Sequence, residues 1–347
     1  MAEILALGIS HYPPLSGRDE QMSSILKGML KNPELPESLR SPQGWPAGMQ
    51  EERGDDEGTA SAGRHRGRLV AEMRRVRGEP DAFNPDFVLI WGDDQHENFR
   101  EDVVPPFCVC AHPSFEFHPR AVNNVWDEPL EQTFHVPGHQ AAGKALVKGL
   151  IEAEFDVAYS YKPLHHPLGH AFTNAIFYLD YDRKGFPYPI LPITVNSYGR
   201  KVICQRGSRP RFDRKLTEDD LDPPAPTPRR LFDLGGEIAR ILAASPWHVA
   251  ILASSGWTHA FLSAKTHLLY PDTQADLRLY EALRSGDYQT WRDYPASAIE
   301  DSGQQEVLNW SCLAGALHAL DRKPRETVFI DTWIFNSSKV FLIAPPV

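Results

Sequence analysis

Short apolar runs recur along the chain and predict the strands of a buried sheet. Each is almost continuous and is bounded by polar or turn-forming residues, which is typical of strands covered on both faces. The runs span residues 4–9, 87–91, 190–195, 249–253 and 327–330, the last with a continuation towards the C-terminus. The pattern therefore predicts buried β-strands distributed over the whole length of the chain.

Helical spacing of apolar residues predicts amphipathic helices between these strands. It is found in "AAGKALVKGLIEAEF", in "RRLFDLGGEIARILAAS" and in "EVLNWSCLAGALHAL", where one stripe contains Val307, Trp310, Ala314 and Leu317. Strands and helices that alternate from end to end are typical of an α/β sandwich. Because no obvious linker interrupts the alternation, we predict a single domain over residues 1–347.

Two long polar segments, residues 32–66 and 205–230, are predicted to be elaborated loops. The first is rich in proline, glycine and charged residues, and the second contains "LDPPAPTPRR". Loops of this length are usually functional covers, partner surfaces or mobile segments. The second loop is a candidate cover for a site.

Composition and charge narrow the functional classes. The formal net charge of −10 argues against nucleic acid as a partner, because phosphate binding needs a basic face. No apolar run approaches the roughly 20 residues of a membrane span, and "MAEILALGIS" lacks the basic start and cleavage site of a signal peptide. We therefore expect a cytoplasmic protein with no membrane partner. The four cysteines show no CxxC spacing, so neither a zinc knuckle nor a disulfide framework is predicted.

Three predicted strands end in histidine-containing segments. "EILALGISHYPP" leads to His11, "FVLIWGDDQHENF" leads to His96, and "VAILASSGWTHAF" leads to His259. Ligands of open α/β sheets bind outside the carboxyl ends of the strands, so parallel strands would bring these histidines together. Each histidine also has a local interpretation: His11 as a turn residue before a proline, and His96 as a partner of Asp93 or Asp94.

Glu306 is the candidate carboxylate of this set. Ser302 and Gln305 resemble a capping box, which predicts that a helix starts there with Glu306 in its first turn. The helix dipole alone also favours an acidic residue at this place. Two imidazoles and one carboxylate form the facial triad of non-haem Fe(II) enzymes, and zinc uses the same ligands together with water. The residues alone therefore leave oxygen chemistry and hydrolysis open.

Further polar residues are candidates for supporting roles. Asp93, Asp94 and Gln95 are candidates to accept the N–H of a ligating imidazole, although a strand-end turn explains them as well. His170, in "YKPLHHPLGHAFTNAI", is placed like a residue that faces a cleft. The candidates for substrate contact are Asn196, Tyr198 and Trp257. A plain loop explains Asn196 and Tyr198 equally well.

The ordered segments "ISHYPPL", "GDDQHENF", "LGHAFT", "SSGWTHAF" and "QEVLNWSCLAGAL" resemble the class III extradiol ring-cleavage dioxygenases, the superfamily of the protocatechuate 4,5-dioxygenase catalytic subunit. The resemblance implies that His11, His96 and Glu306 bind Fe(II), that His259 is the acid/base, and that His170 faces bound oxygen. The chain departs from the family's "GGxSH" pattern, because "SGWTH" has Ser255 for a glycine and Thr258 for the serine.

The same resemblance implies a central mixed sheet covered by helices on both faces, and a homo-oligomer, a dimer or larger. It implies an enzyme that inserts both atoms of O₂ into a small aromatic diol and opens the ring. We expect a substituted phenolic acid as substrate, such as a protocatechuate, gallate or methylgallate relative. Two alternatives remain: a zinc-dependent hydrolase with the same triad, and a non-catalytic scaffold member of the fold.

Overall fold

Eight strands form one mixed sheet, and two more form a separate hairpin, in a computed structural model that describes residues 3–119, 122–208, 210, 212 and 215–346. The strands are β1 (Ile4–Ile9), β2 (Phe87–Asp93), β3 (Phe107–Cys110), β4 (Ser114–Phe117), β5 (Phe134–Pro137), β6 (Ala158–Ser160), β7 (Ile190–Val195), β8 (Val249–Ser254), β9 (Glu326–Ile330) and β10 (Lys339–Ala344). The order in the large sheet is β6-β3-β7-β2-β8-β1-β10-β9, and β4 pairs with β5.

Helices connect most of these strands and cover the sheet. They are α1 (Ser24–Met29), α2 (Ala47–Arg53), α3 (Thr59–Phe83), α4 (Gln140–Glu152), α5 (His170–Leu179), α6 (Arg200–Ile203), α7 (Pro228–Ala243), α8 (Thr273–Ser285), α9 (Tyr288–Arg292), α10 (Ala296–Ser302) and α11 (Val307–Ala319). Short 3₁₀ turns, such as Pro13–Ser16 and Ala260–Leu262, complete the connections. None of the described helices is long and apolar enough to cross a membrane.

The side chains of each central strand alternate between two hydrophobic cores, as the period of two in a strand requires. In β2, Phe87, Leu89 and Trp91 pack into the core that contains α7, α9 and α11. Val88 and Ile90 pack into the core that contains α1, α3 and α5. The predicted α/β fold, a mixed sheet with helices on both faces, is therefore confirmed.

Helix α11 is buried along almost its whole length, from Val307 to Leu317. It lies between the sheet and α7, and two glycines permit the close approach of the two helices. A Cβ atom on Gly235 would lie 1.9 Å from the carbonyl oxygen of Cys312, and one on Gly315 would lie 1.9 Å from that of Phe232. This packing fixes α11, and with it the residue that precedes the helix, Glu306.

Four neighbouring strands, β7, β2, β8 and β1, are parallel to one another. Their carboxyl ends therefore meet at one edge of the sheet, where ligand sites of open α/β sheets are found. Lys339, the first residue of the antiparallel strand β10, also lies at this edge, because the next residue, Val340, donates its N–H to Ser10 directly after β1. The edge thus collects residues from both ends of the chain.

Two local predictions were wrong. Ser302 does not begin a helix but ends α10, and α11 starts only after Glu306, because Gly303 adopts a left-handed conformation between the two helices. The segment 32–66 is not a continuous loop, since it contains α2 and the start of α3. The narrow buried face of α3, which includes Ala62, His65 and Leu69, is flanked by charged residues and gave no clear helical pattern. The predicted loop 205–230 lies partly outside the described residues, at positions 209, 211, 213 and 214.

Lys339 is fully buried at the carboxyl edge of the sheet. Its Nζ donates hydrogen bonds to the carbonyl oxygens of Phe335, at 3.1 Å, and Ser337, and lies 4.3 Å from the centre of the Tyr12 ring. Burial lowers the pKa of Lys339 to about 7, although the carboxylates of Glu52 and Asp276 act in the opposite direction. The fold therefore carries a lysine that loses its charge near neutral pH.

This lysine should make stability depend on pH. Between pH 7 and pH 10.5 the unfolded chain binds the Lys339 proton more tightly than the folded chain, so the free energy of unfolding rises with pH. Lys339→Met removes this dependence. From pH 7 to pH 9, the free energy of unfolding of wild type should therefore rise by roughly 2 kcal/mol relative to that of Lys339→Met.

Denaturant unfolding of both proteins at the two pH values measures this shift. Lys148→Met is the matched control, because Lys148 is exposed. An equal difference at both pH values would mean that Lys339 keeps an ordinary pKa in the folded protein.

Candidate metal centre

Four ionisable side chains meet at the carboxyl edge of the parallel strands. One ligand atom from each of His11, Asp93, His170 and Glu306 lies within 4.8 Å of the others, and all four residues are buried. His11 follows β1, Asp93 ends β2, His170 is the first residue of α5, and Glu306 immediately precedes α11. The cluster therefore combines residues that are up to about 300 positions apart in the sequence.

The ring of His11 is oriented by a serine at the end of the neighbouring strand. The Ser254 hydroxyl donates to the carbonyl oxygen of Ala171 at 2.8 Å, so its oxygen accepts from Nδ1 of His11 at 3.1 Å. The Nε2 atom of His11 then carries the free lone pair, and it lies 3.7 Å from Glu306. Anchoring one ring nitrogen by a hydrogen bond is typical of metal-binding histidines.

His170 is held in the same way by a carboxylate. Its Nδ1 donates to Oε2 of Glu97 at 2.9 Å, and its backbone N–H donates to the same oxygen at 2.9 Å. Its Nε2 lies 3.7 Å from Oδ2 of Asp93 and thus faces the cluster. Both imidazoles therefore present Nε2 to the centre, while Nδ1 is used for orientation.

Glu306 has hydrogen-bonding neighbours at both carboxylate oxygens. The backbone N–H of Gly256 donates to Oε2 at 2.6 Å, and the hydroxyl of Tyr198 donates to Oε1. Nε2 of His259 lies 3.3 Å from Oε1. Because a Cβ atom on Gly256 would lie 2.7 Å from the ring of His259, only glycine fits at that position. Glu306 thus has a fixed orientation beside His259.

Asp93 is fully buried, and neither of its carboxylate oxygens has a hydrogen-bond partner among the described residues. An unpaired buried carboxylate is costly unless it is paired with a cation or coordinates a metal. With neutral imidazoles the cluster carries two negative charges, which a divalent cation would balance. Two imidazoles and two carboxylates are also suitable donors for Fe, Zn or Mn ions. The residues present therefore fit a divalent transition-metal ion.

Burial and the neighbouring charges shift the pKa values of the residues in the cluster. Burial lowers the pKa of His11 to about 3, so its imidazole is neutral, as a metal ligand must be. Burial, followed by the charge of Glu306, raises the pKa of Asp93 well above its usual value. Burial also acts to lower the pKa of His170, but Glu97 and Asp93 outweigh it and raise this pKa to about 9. The site attracts a cation strongly, whether a proton on His170 or a metal ion.

The structure does not bring His96 into the cluster. Asp94 closes the segment after β2 by accepting hydrogen bonds from the backbone N–H groups of Glu97, Asn98 and Phe99 at 3.0, 2.9 and 3.2 Å. His96, in this turn, has a left-handed backbone conformation with φ of 59°, and its Nε2 lies 3.4 Å from Glu101. Asp94 thus organises the turn, and Asp93 takes the place in the cluster that the sequence suggested for His96.

The other candidates lie at different places. Gln95 donates to the carbonyl oxygen of Gly207 at 2.8 Å and so ties the β2 turn to the segment after α6. Asn196 accepts from the backbone N–H of Gly199 and lines a cavity of about 400 Å³ with Arg230 and the stretch 223–226. Trp257 is fully buried between Trp291 and Trp310, with ring centres 5.7 and 5.4 Å away, and does not face solvent. Of the three substrate candidates, Tyr198 alone contacts the cluster among the described residues.

Sequence reasoning missed Glu97 and Ser254, which orient the two imidazoles. Glu97 lies in the "GDDQHENF" segment, where its position between polar residues gives no sign that it reaches α5. Ser254 is the last residue of a buried strand, and a serine at that place was a usable signal, because a buried hydroxyl needs a partner. The role of Glu97 can be recognised only from its hydrogen bond to His170 in the folded structure.

Comparisons with known proteins agree with the motif pattern, although no family model matches the chain. It is similar to proteins named 2,3-dihydroxyphenylpropionate/2,3-dihydroxicinnamic acid 1,2-dioxygenase. The Cupriavidus necator protein is 26% identical over 196 residues, 55% of this chain and 50% of the relative. A second form from Pseudomonas putida is 29% identical over 192 residues, covering 55% and 49%. The Paraburkholderia xenovorans protein is 28% identical over 197 residues, covering 55% and 50%.

The chain spans about half the length of the curated relatives it matches. The predicted resemblance to the extradiol ring-cleavage dioxygenases is confirmed by these relatives. The cluster of His11, Asp93, His170 and Glu306 at the sheet edge is the candidate site for a metal ion.

Direct metal titration distinguishes Asp93 from His96 as a ligand. We expect Asp93→Ala, like His11→Ala, His170→Ala and Glu306→Ala, to weaken Co(II) binding by about 100-fold or more, because even outer partners of a ligand contribute roughly 10- to 100-fold. His96→Ala should bind Co(II) as wild type does. The visible absorption of Co(II) measures the affinity, and thermal unfolding checks that each variant is folded. Loss of binding in His96→Ala with retention in Asp93→Ala would contradict this donor set.

Proposed function

We propose that the protein is a non-haem Fe(II)-dependent extradiol dioxygenase that inserts both atoms of O₂ into a catechol-type aromatic and opens its ring. The observation that carries the proposal is the buried cluster of two anchored imidazoles and two carboxylates beside His259. The named relatives support the type of reaction. A metal-dependent hydrolase would use similar ligands, but the relatives described above are named as dioxygenases.

His11, Asp93, His170 and Glu306 are the residues proposed to hold the ion. When bound, Fe(II) supplies the electron chemistry that lets a catechol and O₂ react, and it orients both reactants. The burial of all four residues keeps water away and strengthens electrostatic interactions inside the site. His170, held by Glu97, is proposed as a ligand rather than as the residue that faces oxygen, because its Nε2 faces Asp93.

His259 is the proposed acid/base. Its Nε2 lies beside Glu306 and within the same buried space, where a catechol hydroxyl bound next to the carboxylate would be within reach. His259 would accept the hydroxyl proton at Nε2 and return it during ring opening. Its backbone N–H donates to the carbonyl oxygen of Gly303 at 2.8 Å, which holds the histidine near the turn that carries Glu306.

Tyr198 and Gly256 keep the Glu306 carboxylate in place. The Gly256 N–H fixes Oε2, and the Tyr198 hydroxyl fixes Oε1. Tyr198 packs with Val202 and Ile203 in a small apolar cluster, which Leu262 connects to the core that contains α1, α3 and α5. The segment after β7 therefore closes the site from one side.

The proposed substrate class is a catechol that carries an acidic side group. The names of the relatives specify a diol ring with a three-carbon acid, and this broadens the phenolic acids expected from the sequence. We therefore place 2,3-dihydroxyphenylpropionate beside protocatechuate, gallate and methylgallates as candidate substrates.

Oxygen uptake tests the proposed function. Protein reconstituted anaerobically with Fe(II) should consume one O₂ per substrate with at least one diol of this panel and form a yellow ring-opened product. An oxygen electrode and ultraviolet–visible spectra record both. Iron-loaded protein that consumes no oxygen with any of them, but turns over an ester or amide with zinc, would replace the dioxygenase by the hydrolase.

His259→Phe tests the acid/base assignment. The substitution should leave the metal ion bound, because all four proposed ligands remain, and should lower kcat by roughly 100- to 10,000-fold, the usual contribution of general acid–base catalysis. His248→Phe is the matched control, because His248 precedes the opposite end of β8 and is exposed. Ring cleavage by His259→Phe at the wild-type rate would remove His259 from the mechanism.

A further inference from the structure

Asp276, in α8, is a fully buried carboxylate that no part of the proposed mechanism uses. It accepts hydrogen bonds from the backbone N–H of Thr258 at 3.0 Å and from the Thr258 hydroxyl at 2.6 Å. It also accepts from the side-chain amide of Gln304 at 2.8 Å. Thr258 directly precedes His259, and Gln304 lies two residues before Glu306. One carboxylate thus connects the two turns that carry these residues.

The orientation of Gln304 is fixed independently. Gln304 is fully buried, and its Oε1 accepts from the hydroxyl of Tyr294 at 3.1 Å. Its NH₂ group must therefore face Asp276. In addition, the backbone N–H of Gln304 donates to the carbonyl oxygen of Ile299 at 2.9 Å. The connection from Asp276 to the turn before Glu306 is rigid.

We propose that Asp276 is a positioning residue that sets the relative placement of His259 and Glu306. The two turns are joined directly by hydrogen bonds from the His259 N–H to the carbonyl oxygen of Gly303 and from the Gly256 N–H to the Glu306 carboxylate. Neither of these bonds involves Thr258 or Gln304. The bonds through Asp276 attach these two residues as well, and this additional attachment restricts the relative orientation of the turns, which sets the 3.3 Å separation of His259 Nε2 and Glu306 Oε1. This inference rests on the proposed function.

The chemistry of the connection explains why a carboxylate is used. A buried carboxylate costs stability, and burial raises the pKa of Asp276 to about 6 despite its hydrogen bonds from Thr258 and Gln304. An apolar residue would fill the space at lower cost but would accept no hydrogen bond. The carboxylate of Asp276 also explains Thr258. The resembled pattern has serine at this position, and threonine keeps the hydroxyl that donates to Asp276.

Asp276→Leu tests the proposal, because leucine is close to aspartate in size but accepts no hydrogen bond from Thr258 or Gln304. We expect at least about a tenfold loss of kcat with little change in KM, since small displacements of catalytic groups are costly. We also expect a changed Co(II) absorption spectrum and roughly tenfold weaker Co(II) binding. Thr258→Ser should behave as wild type, and Thr258→Val should reproduce part of the loss.

Glu52→Met is the matched control for lost stability. Glu52, in α2, is a carboxylate that accepts from the Thr332 hydroxyl and from the N–H groups of Trp333 and Ile334. Helix α2 packs into the core on one face of the sheet, and α8, which carries Asp276, packs into the core on the other. Glu52→Met removes the acceptor and should lower the unfolding temperature while leaving kcat and the Co(II) spectrum unchanged.

The outcomes separate the two proposals. If wild type lacks dioxygenase turnover, the Co(II) affinity and spectrum still test Asp276. Wild-type kcat, Co(II) affinity and Co(II) spectrum in folded Asp276→Leu would overturn the positioning role. If Asp276→Leu does not fold, Thr258→Val decides: unchanged kcat and spectrum in that variant would likewise overturn the role.

Discussion

The burial of two carboxylates at one edge of the sheet is the constraint around which this structure is arranged. Asp93 and Glu306 lie within 4.8 Å of each other and of two imidazoles, in a space closed to solvent. Like charges in such surroundings repel strongly, and the arrangement is stable only if a cation or many hydrogen bonds compensate. Glu306 obtains hydrogen bonds, whereas Asp93 obtains none among the described residues. This asymmetry is the strongest physical reason for a metal ion at the centre.

The surrounding elements hold this arrangement in place. Helix α11 is locked against α7 by close backbone contact, and its N-terminus, with its partial positive charge, lies next to Glu306. The turn after β2 is closed by Asp94, which lets the same turn send Asp93 and Glu97 to the cluster. Rigid supports of this kind reduce the reorganisation that a reaction would otherwise require.

The departures from the resembled pattern are informative. Motif comparison selects residues by type and approximate position, and it selected His96 because it is the histidine next to β2. The backbone of β2 continues as a strand to Asp93, whose side chain is buried, and the following turn directs His96 towards Glu101. A change of one or two positions at a strand end changes which side chain reaches the centre, because successive side chains point to opposite faces. Similarity to the relatives therefore supports the kind of chemistry better than the identity of each ligand.

The sequence by itself determined the α/β class, the central strands and the main helices, because apolar periodicity is a local property that burial on two faces imposes directly. It also indicated that histidines and Glu306 gather at strand ends, since parallel strands place their carboxyl ends together. The short strands β3 to β6 and the helical content of residues 32–66 left no clear periodic signal. Only the tertiary structure brought Asp93 together with His11, His170 and Glu306, Glu97 into contact with His170, and Asp276 into contact with Thr258 and Gln304. Those contacts join residues far apart in sequence, and their distances depend on strand register and helix packing, which no local pattern encodes.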